Sequence, residues 1–219
     1  MTPPIAAVSS RPWADGKPGL PSDIIGKLWS ARLSKLYVRQ ARDGGACTFF
    51  LRRAFDAEAS DQYGAATAWT TVEVQPTGTL AVEIGMFNKS ATRLPEAMFV
   101  QFQTRDTNVS WSVSKLGQWV QSDEIVAGGS KHLHGVMESG LRARTAEGHM
   151  LQIATQDAAV ANFGELTAYP SPVNKTADTA TFGSSFVLWD NLWGTNCTCD
   201  GRPRTRDRWR TTSVASWKR

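Results

Sequence analysis

With 219 residues, 41% hydrophobic and 20% charged, the chain is long enough to bury a core without disulfides or metals. Its net charge of +4 is concentrated: residues 200–219 balance at +5 and residues 1–199 at −1, so no broad basic patch points the globular part to nucleic acid. Three cysteines (Cys47, Cys197, Cys199) make no disulfide framework, and no apolar run reaches membrane-spanning length.

Residues 1–21, rich in Pro and Gly, read as an irregular lead-in without the basic and apolar regions of a secretory signal. Four of the six asparagines (Asn88, Asn108, Asn174, Asn196) stand in glycosylation sequons, which suits a secreted parent but is frequent by chance, so the compartment stays open. Residues 22–60 read as a helix and linker. Ser22 or Asp23 can cap the helix, and Ile24, Ile25, Leu28, Trp29, Leu33, Leu36 and Tyr37 recur at three- and four-residue spacing before Gly44 and Gly45 stop it.

From residue 61 to 199 the period shortens to two. Trp69–Val74 and Leu80–Phe87 flank a Pro76–Thr79 turn as a hairpin, and Ala97–Phe102 and Val109–Val113 follow as strands. Val109, Trp111 and Val113 share one strand face. Gln118–Val120, Leu133–Met137, Met150–Ala154, Leu166–Tyr169 and Phe186–Trp193 complete the predicted strands. Many short strands between Gly, Pro, Asn and Asp predict a mostly β protein, an antiparallel β-sandwich with a short N-terminal helical segment. Residues 200–219, with arginine at every second position from Arg202 to Arg210 and no apolar period, are expected to be disordered.

Lys131-His-Leu-His134 is the sharpest local feature. On a strand His132 and His134 project to one side and can hold a metal or contact a sugar, while Leu133 points to the core. A metal needs further ligands, and His149, Asp157 and Glu138 are candidates by type alone. The plainer reading is two polar side chains on a solvated strand face, and no metal site is assigned. Glu96, near Arg93 and Asn88, can belong to a buried polar network, although Pro95 there is explained simply by the start of a strand. Trp189, Asn191, Trp193 and Asn196 combine aromatic and amide chemistry suited to a sugar platform, and equally to a strand end with a turn. Cys197-x-Cys199 is too short for the usual zinc spacing. The sequence has no phosphate loop, dinucleotide fingerprint or serine elbow.

Four runs resemble, in order, an α-mannosidase-like glycoside hydrolase family known as domain of unknown function 5054. They are Phe87-Asn-Lys-Ser-Ala-Thr-Arg-Leu-Pro-Glu-Ala97, Lys115-Leu-Gly-Gln-Trp119, Gly128-Gly-Ser-Lys-His-Leu-His-Gly135 and Asn191-Leu-Trp-Gly-Thr-Asn196. The resemblance spans about residues 15–196 and covers only the C-terminal part of such proteins. It implies a non-catalytic β region that packs on a separate catalytic domain and lines its cleft. That domain would hold the divalent metal (zinc) and the carboxylate nucleophile, and no catalytic residue or cofactor is expected in this chain. After Asn196 the family continues with an aromatic, proline-containing segment, whereas this chain reads Cys-Thr-Cys-Asp-Gly-Arg-Pro-Arg, the kind of ending that a shifted frame or misread intron produces.

Lys131, His132, His134, Trp189, Asn191, Trp193 and Asn196 are therefore the candidate substrate-facing or domain-interface residues. The expected partners are the catalytic domain and a glycan, with neither nucleic acid nor membrane. The rivals are a free-standing carbohydrate-binding module and a complete small hydrolase using local carboxylates, whose spacing across a cleft the sequence leaves open.

Overall fold

A computed structural model describes residues 5–9, 27–41, 45–63, 67–87, 89, 96–126, 133–167, 177–191 and 209–218, with backbone alone for 5–9, 62–63, 191 and 209–218. Among the described residues, fifteen strands form two antiparallel sheets packed as a sandwich. The strands in chain order begin with β1 (Ile5–Ser9), β2 (Leu28–Ser30), β3 (Arg32–Gln40), β4 (Cys47–Ala54) and β5 (Thr67–Val74). They continue with β6 (Leu80–Phe87), β7 (Glu96–Phe102), β8 (Val109–Lys115), β9 (Gln118–Gln121) and β10 (Leu133–Gly135). The last five are β11 (Leu141–Thr145), β12 (Met150–Thr155), β13 (Val160–Phe163), β14 (Ser184–Asn191) and β15 (Trp209–Lys218). Two short helices, α1 (Ala57–Tyr63) and α2 (Thr179–Phe182), begin where Asp56 and Asp178 accept backbone N–H bonds of 2.9 Å. No helix of the described residues is long and apolar enough to cross a membrane.

One sheet runs β10-β13-β14-β7-β1-β2 and the other β3-β4-β5-β6-β15-β12-β11-β8-β9. Alternation puts Trp111, Val113, Leu141 and Ile153 of the nine-stranded sheet against Val100, Phe163 and Phe186 of the six-stranded one. These large side chains are almost wholly buried and form the main core. A smaller cluster of Ala97, Phe99 and Leu166, with Leu133 and Val187 against it, covers the other face of the six-stranded sheet.

The expected strands at 69–74, 80–87, 97–102, 109–113, 118–120, 133–137, 150–154 and 186–193 are found within a few residues of those limits wherever they are described. The expected N-terminal helix is not. Residues 28–30 and 32–40 are strands, while Ser22 to Ile25 lie outside the described residues. The misleading spacing has a physical origin. The β3–β4 register shifts between Leu33 and Lys35, so Leu33 pairs with Arg53 and Leu36 with Leu51. A bulge thus places residues three apart on one face, as a helix would.

Leu166 is buried without regular secondary structure rather than in a strand, because it packs beneath Phe99 and Ala97. Residues 209–218, expected to be disordered, form β15. Its backbone pairs with β6 on one side and β12 on the other. Without it those two strands would each present an unpaired edge, and the backbone pairing repays ordering that composition alone argues against. Residues 200–208 lie outside the described residues.

Candidate functional site

Of the seven candidate residues, His134, Trp189 and the backbone of Asn191 are described; Lys131, His132, Trp193 and Asn196 lie outside the described residues. His134 is not on a solvated face. It is 8% exposed, and its ring tilts against Phe163 with centroids 5.6 Å apart. Leu133, expected to face the main core, packs on the smaller cluster across the sheet. The register expected for this strand is therefore reversed. The reversal costs little, because both faces of the six-stranded sheet are covered and Leu133 finds apolar contact on either.

Trp189 lies toward the main core because β14 is bulged between Val187 and Trp189. The bulge turns Leu188 and Trp189 to the same side. It also brings Trp189 beside Lys89, whose Nζ stands 4.4 Å from the ring centroid and donates to Glu96 Oε1 at 2.9 Å. Both charged side chains are nearly buried. Asn191 is the register partner of Glu96. Glu96 thus belongs to a buried polar network, with Lys89 as its partner. Lys89 follows the last residue of β6 by two positions and Glu96 opens β7, so the pair ties the passage from one sheet to the other.

His134, Lys89, Glu96 and Trp189 all serve packing, and nothing in their arrangement presents two carboxylates to a shared space. Among the described residues no group of three or more His, Cys, Asp or Glu is placed to hold a metal ion. His149, Asp157 and Glu138 are not gathered with His134 into one.

The outward chemistry lies on the solvent face of the nine-stranded sheet. In one cross-strand row Lys35 stands opposite Arg52, and Arg52 opposite Trp69. In the next row Tyr37 stands opposite Phe50, and Phe50 opposite Thr71. In the third Arg39 stands opposite Thr48, and Thr48 opposite Glu73. Tyr37 is 51% and Trp69 37% exposed, and the Arg39 guanidinium lies 5.8 Å from the Phe50 ring centroid. At the far end of the same face Arg142 stacks 3.7 Å from the Trp119 ring centroid. Burial, and then the nearby Arg144, hold Arg142 below the usual guanidinium range.

These residues carry no sequence motif. Lys35, Arg52 and Trp69 are far apart in the chain and meet only through strand register, so the even charge balance of residues 1–199 conceals a local basic cluster. Alternation of Lys35, Tyr37 and Arg39 was the one available signal, hidden by the helical reading of that segment.

The chain matches no family model and no curated protein.

Proposed function

We propose that the chain is a non-catalytic β-sandwich module of an α-mannosidase-like glycoside hydrolase, packing on a catalytic domain and lining its cleft. One structural observation supports the packing half of this reading. Leu33, Leu36 and Val38 lie on the core-facing side of the nine-stranded sheet, yet each is half-exposed. They sit on β3, whose outer edge pairs with nothing among the described residues. An apolar edge of this kind is an association hazard that proteins normally cover. A neighbouring domain seated on β3 would cover it. The four ordered sequence runs support the glycosidase half. In this reading the zinc and the nucleophile belong to the catalytic domain.

The test mixes the purified chain with the catalytic domain of a member of the resembled family. Light scattering reads the complex and aryl-mannoside turnover reads its effect. A complex with Kd in the micromolar range or tighter, lost in Leu36→Asp and Val38→Asp, supports the proposal. No complex and unchanged turnover would reject it.

The second reading, a free-standing carbohydrate-binding module, is favoured by a different observation: the exposed aromatics Tyr37 and Trp69 on a broad sheet face. Binding of a glycan by the chain alone, with no affinity for the catalytic domain, would select it.

A further inference from the structure

We propose that the solvent face of β3, β4 and β5 is a binding platform for an anionic polysaccharide whose sugars carry carboxylates. The choice of a sugar rests on the carbohydrate-related reading above; the choice of an anion rests on the charges alone.

Lys35 and Arg52 are direct cross-strand partners on one face. Like charges directly opposite each other destabilise a sheet. Arg39 adds a third positive charge two rows away on the same face. Among the described residues no ion pair engages any of the three. Glu73 shares the row of Arg39 with Thr48 between them, and Glu83 the row of Tyr37, so neither carboxylate stands in the row of Lys35 and Arg52. A bound carboxylate between Lys35 and Arg52 would relieve their repulsion, and the Arg52 guanidinium can hold it through two parallel N–H bonds.

Tyr37 and Trp69 lie two strands apart and one row apart. Strand spacing and residue rise put them about 12 Å from each other. That span suits alternate rings of an extended glycan, each offering its C–H face to an aromatic side chain. Phe50 lies between them in register, with the Arg39 guanidinium over its ring. Glu73, which accepts from the Gln75 side-chain amide, and Glu83 add negative charge to the same face. Single-stranded nucleic acid is the other ligand that aromatic and basic residues together attract, and an oligothymidylate probe distinguishes it from the sugar.

Calorimetry on the whole chain tests the platform with three probes: an oligogalacturonate, a neutral manno-oligosaccharide of equal length and an oligothymidylate. The oligogalacturonate should bind, and added salt should weaken it. Trp69→Ala and Arg52→Ala should each weaken it about tenfold or more, with the thermal midpoint held. Lys35→Glu gives a second, opposite signature. It removes the like-charge contact with Arg52, so stability should hold or rise while binding falls. A purely structural Lys35 would not separate the two readouts. Equal binding of the neutral sugar overturns the anion assignment and leaves the carbohydrate reading standing. Preference for oligothymidylate overturns the sugar. No binding of any probe, or binding indifferent to all three variants, overturns the platform. The Leu36 and Val38 variants act at the β3 edge, so failure of domain docking and failure of glycan binding are read separately.

Discussion

Lys89 and Glu96 form a nearly buried ion pair with an N–O distance of 2.9 Å, at the point where the chain leaves one sheet and enters the other. Two charges withdrawn from water are tolerable together and costly apart. Glu96→Gln leaves the ammonium without its counter-charge and is expected to cost about 3–5 kcal/mol. The double change Lys89→Met with Glu96→Leu should recover most of that loss. Urea midpoints of the three proteins check it, and a double variant as weak as the single one would show that the pair contributes more than mutual neutralisation.

The turn between β8 and β9 carries the one positive φ of a residue other than glycine among those described: Leu116, at 51°. Its side chain is 86% exposed, so it has little packing to lose. Asparagine tolerates this left-handed conformation better. Leu116→Asn should therefore stabilise the protein by about 0.5–1 kcal/mol, raising the thermal midpoint by roughly 1–4 °C. An unchanged or lower midpoint would argue that Leu116 makes a contact worth more than the strain.

Gly140 and Gly183 both have positive φ, and a Cβ at either would stand 2.0 Å from a carbonyl oxygen, that of Ile153 or of Phe102. Backbone must move to admit a methyl group there. Gly140→Ala and Gly183→Ala are each expected to cost at least about 2 kcal/mol. Gly78 has φ +83° and open space around it, so Gly78→Ala should cost only the conformational part, about 1 kcal/mol. Equal losses at the three positions in thermal melts would refute the clash argument.

Glu58 on α1 accepts hydrogen bonds from Lys27 and from Trp29 Nε1, the latter at 3.2 Å. The Lys27 bond, then the Trp29 bond, hold the carboxyl below the usual glutamate range; burial opposes them, and the charge of Lys27 assists. The unfolded chain thus takes up this proton more readily than the folded one. The resulting stability is present above the unfolded pKa and disappears as pH falls through the folded one. Glu58→Gln should melt below the native protein at about pH 7, and the gap should close as pH falls below the usual glutamate range. A gap independent of pH would assign the difference to packing.

Deleting residues 209–218 removes β15 from between β6 and β12. Two strand edges and the core beneath them open together, so the midpoint should fall by more than about 10 °C or the protein should aggregate. A midpoint unchanged by the deletion would show that β15 contributes nothing to the folded state.

The β character was legible wherever one face is buried and the other solvated. Val109, Trp111 and Val113 announce their strand by alternation, and Trp111 and Val113 are fully buried as that pattern requires. β4 escaped notice because Phe49 and Phe50 are adjacent and Arg53 points inward, breaking the pattern. β11 did so because Arg142 and Arg144 alternate with only Leu141 and Ala143. Burial of His134 was illegible for another reason: a sheet covered on both faces gives no polar–apolar alternation to set its register. The platform of Lys35, Arg52 and Trp69 required strand order, which local sequence does not contain.

β15 also sets the order in which the molecule can be completed. It pairs with β6, more than 120 positions earlier in the chain, as Val214 opposite Ala81 shows. A ribosome delivers β3 to β6 and β8 to β12 long before it delivers the strand that joins them. Until then the nascent chain holds two half-sheets separated by an open slot, each lip of which can pair with any extended segment nearby. Closure carries a high contact order and is expected to be the slow step. In that interval a neighbouring nascent copy competes for the slot, and exchange of the last strand between two chains is the form of misassembly this topology invites.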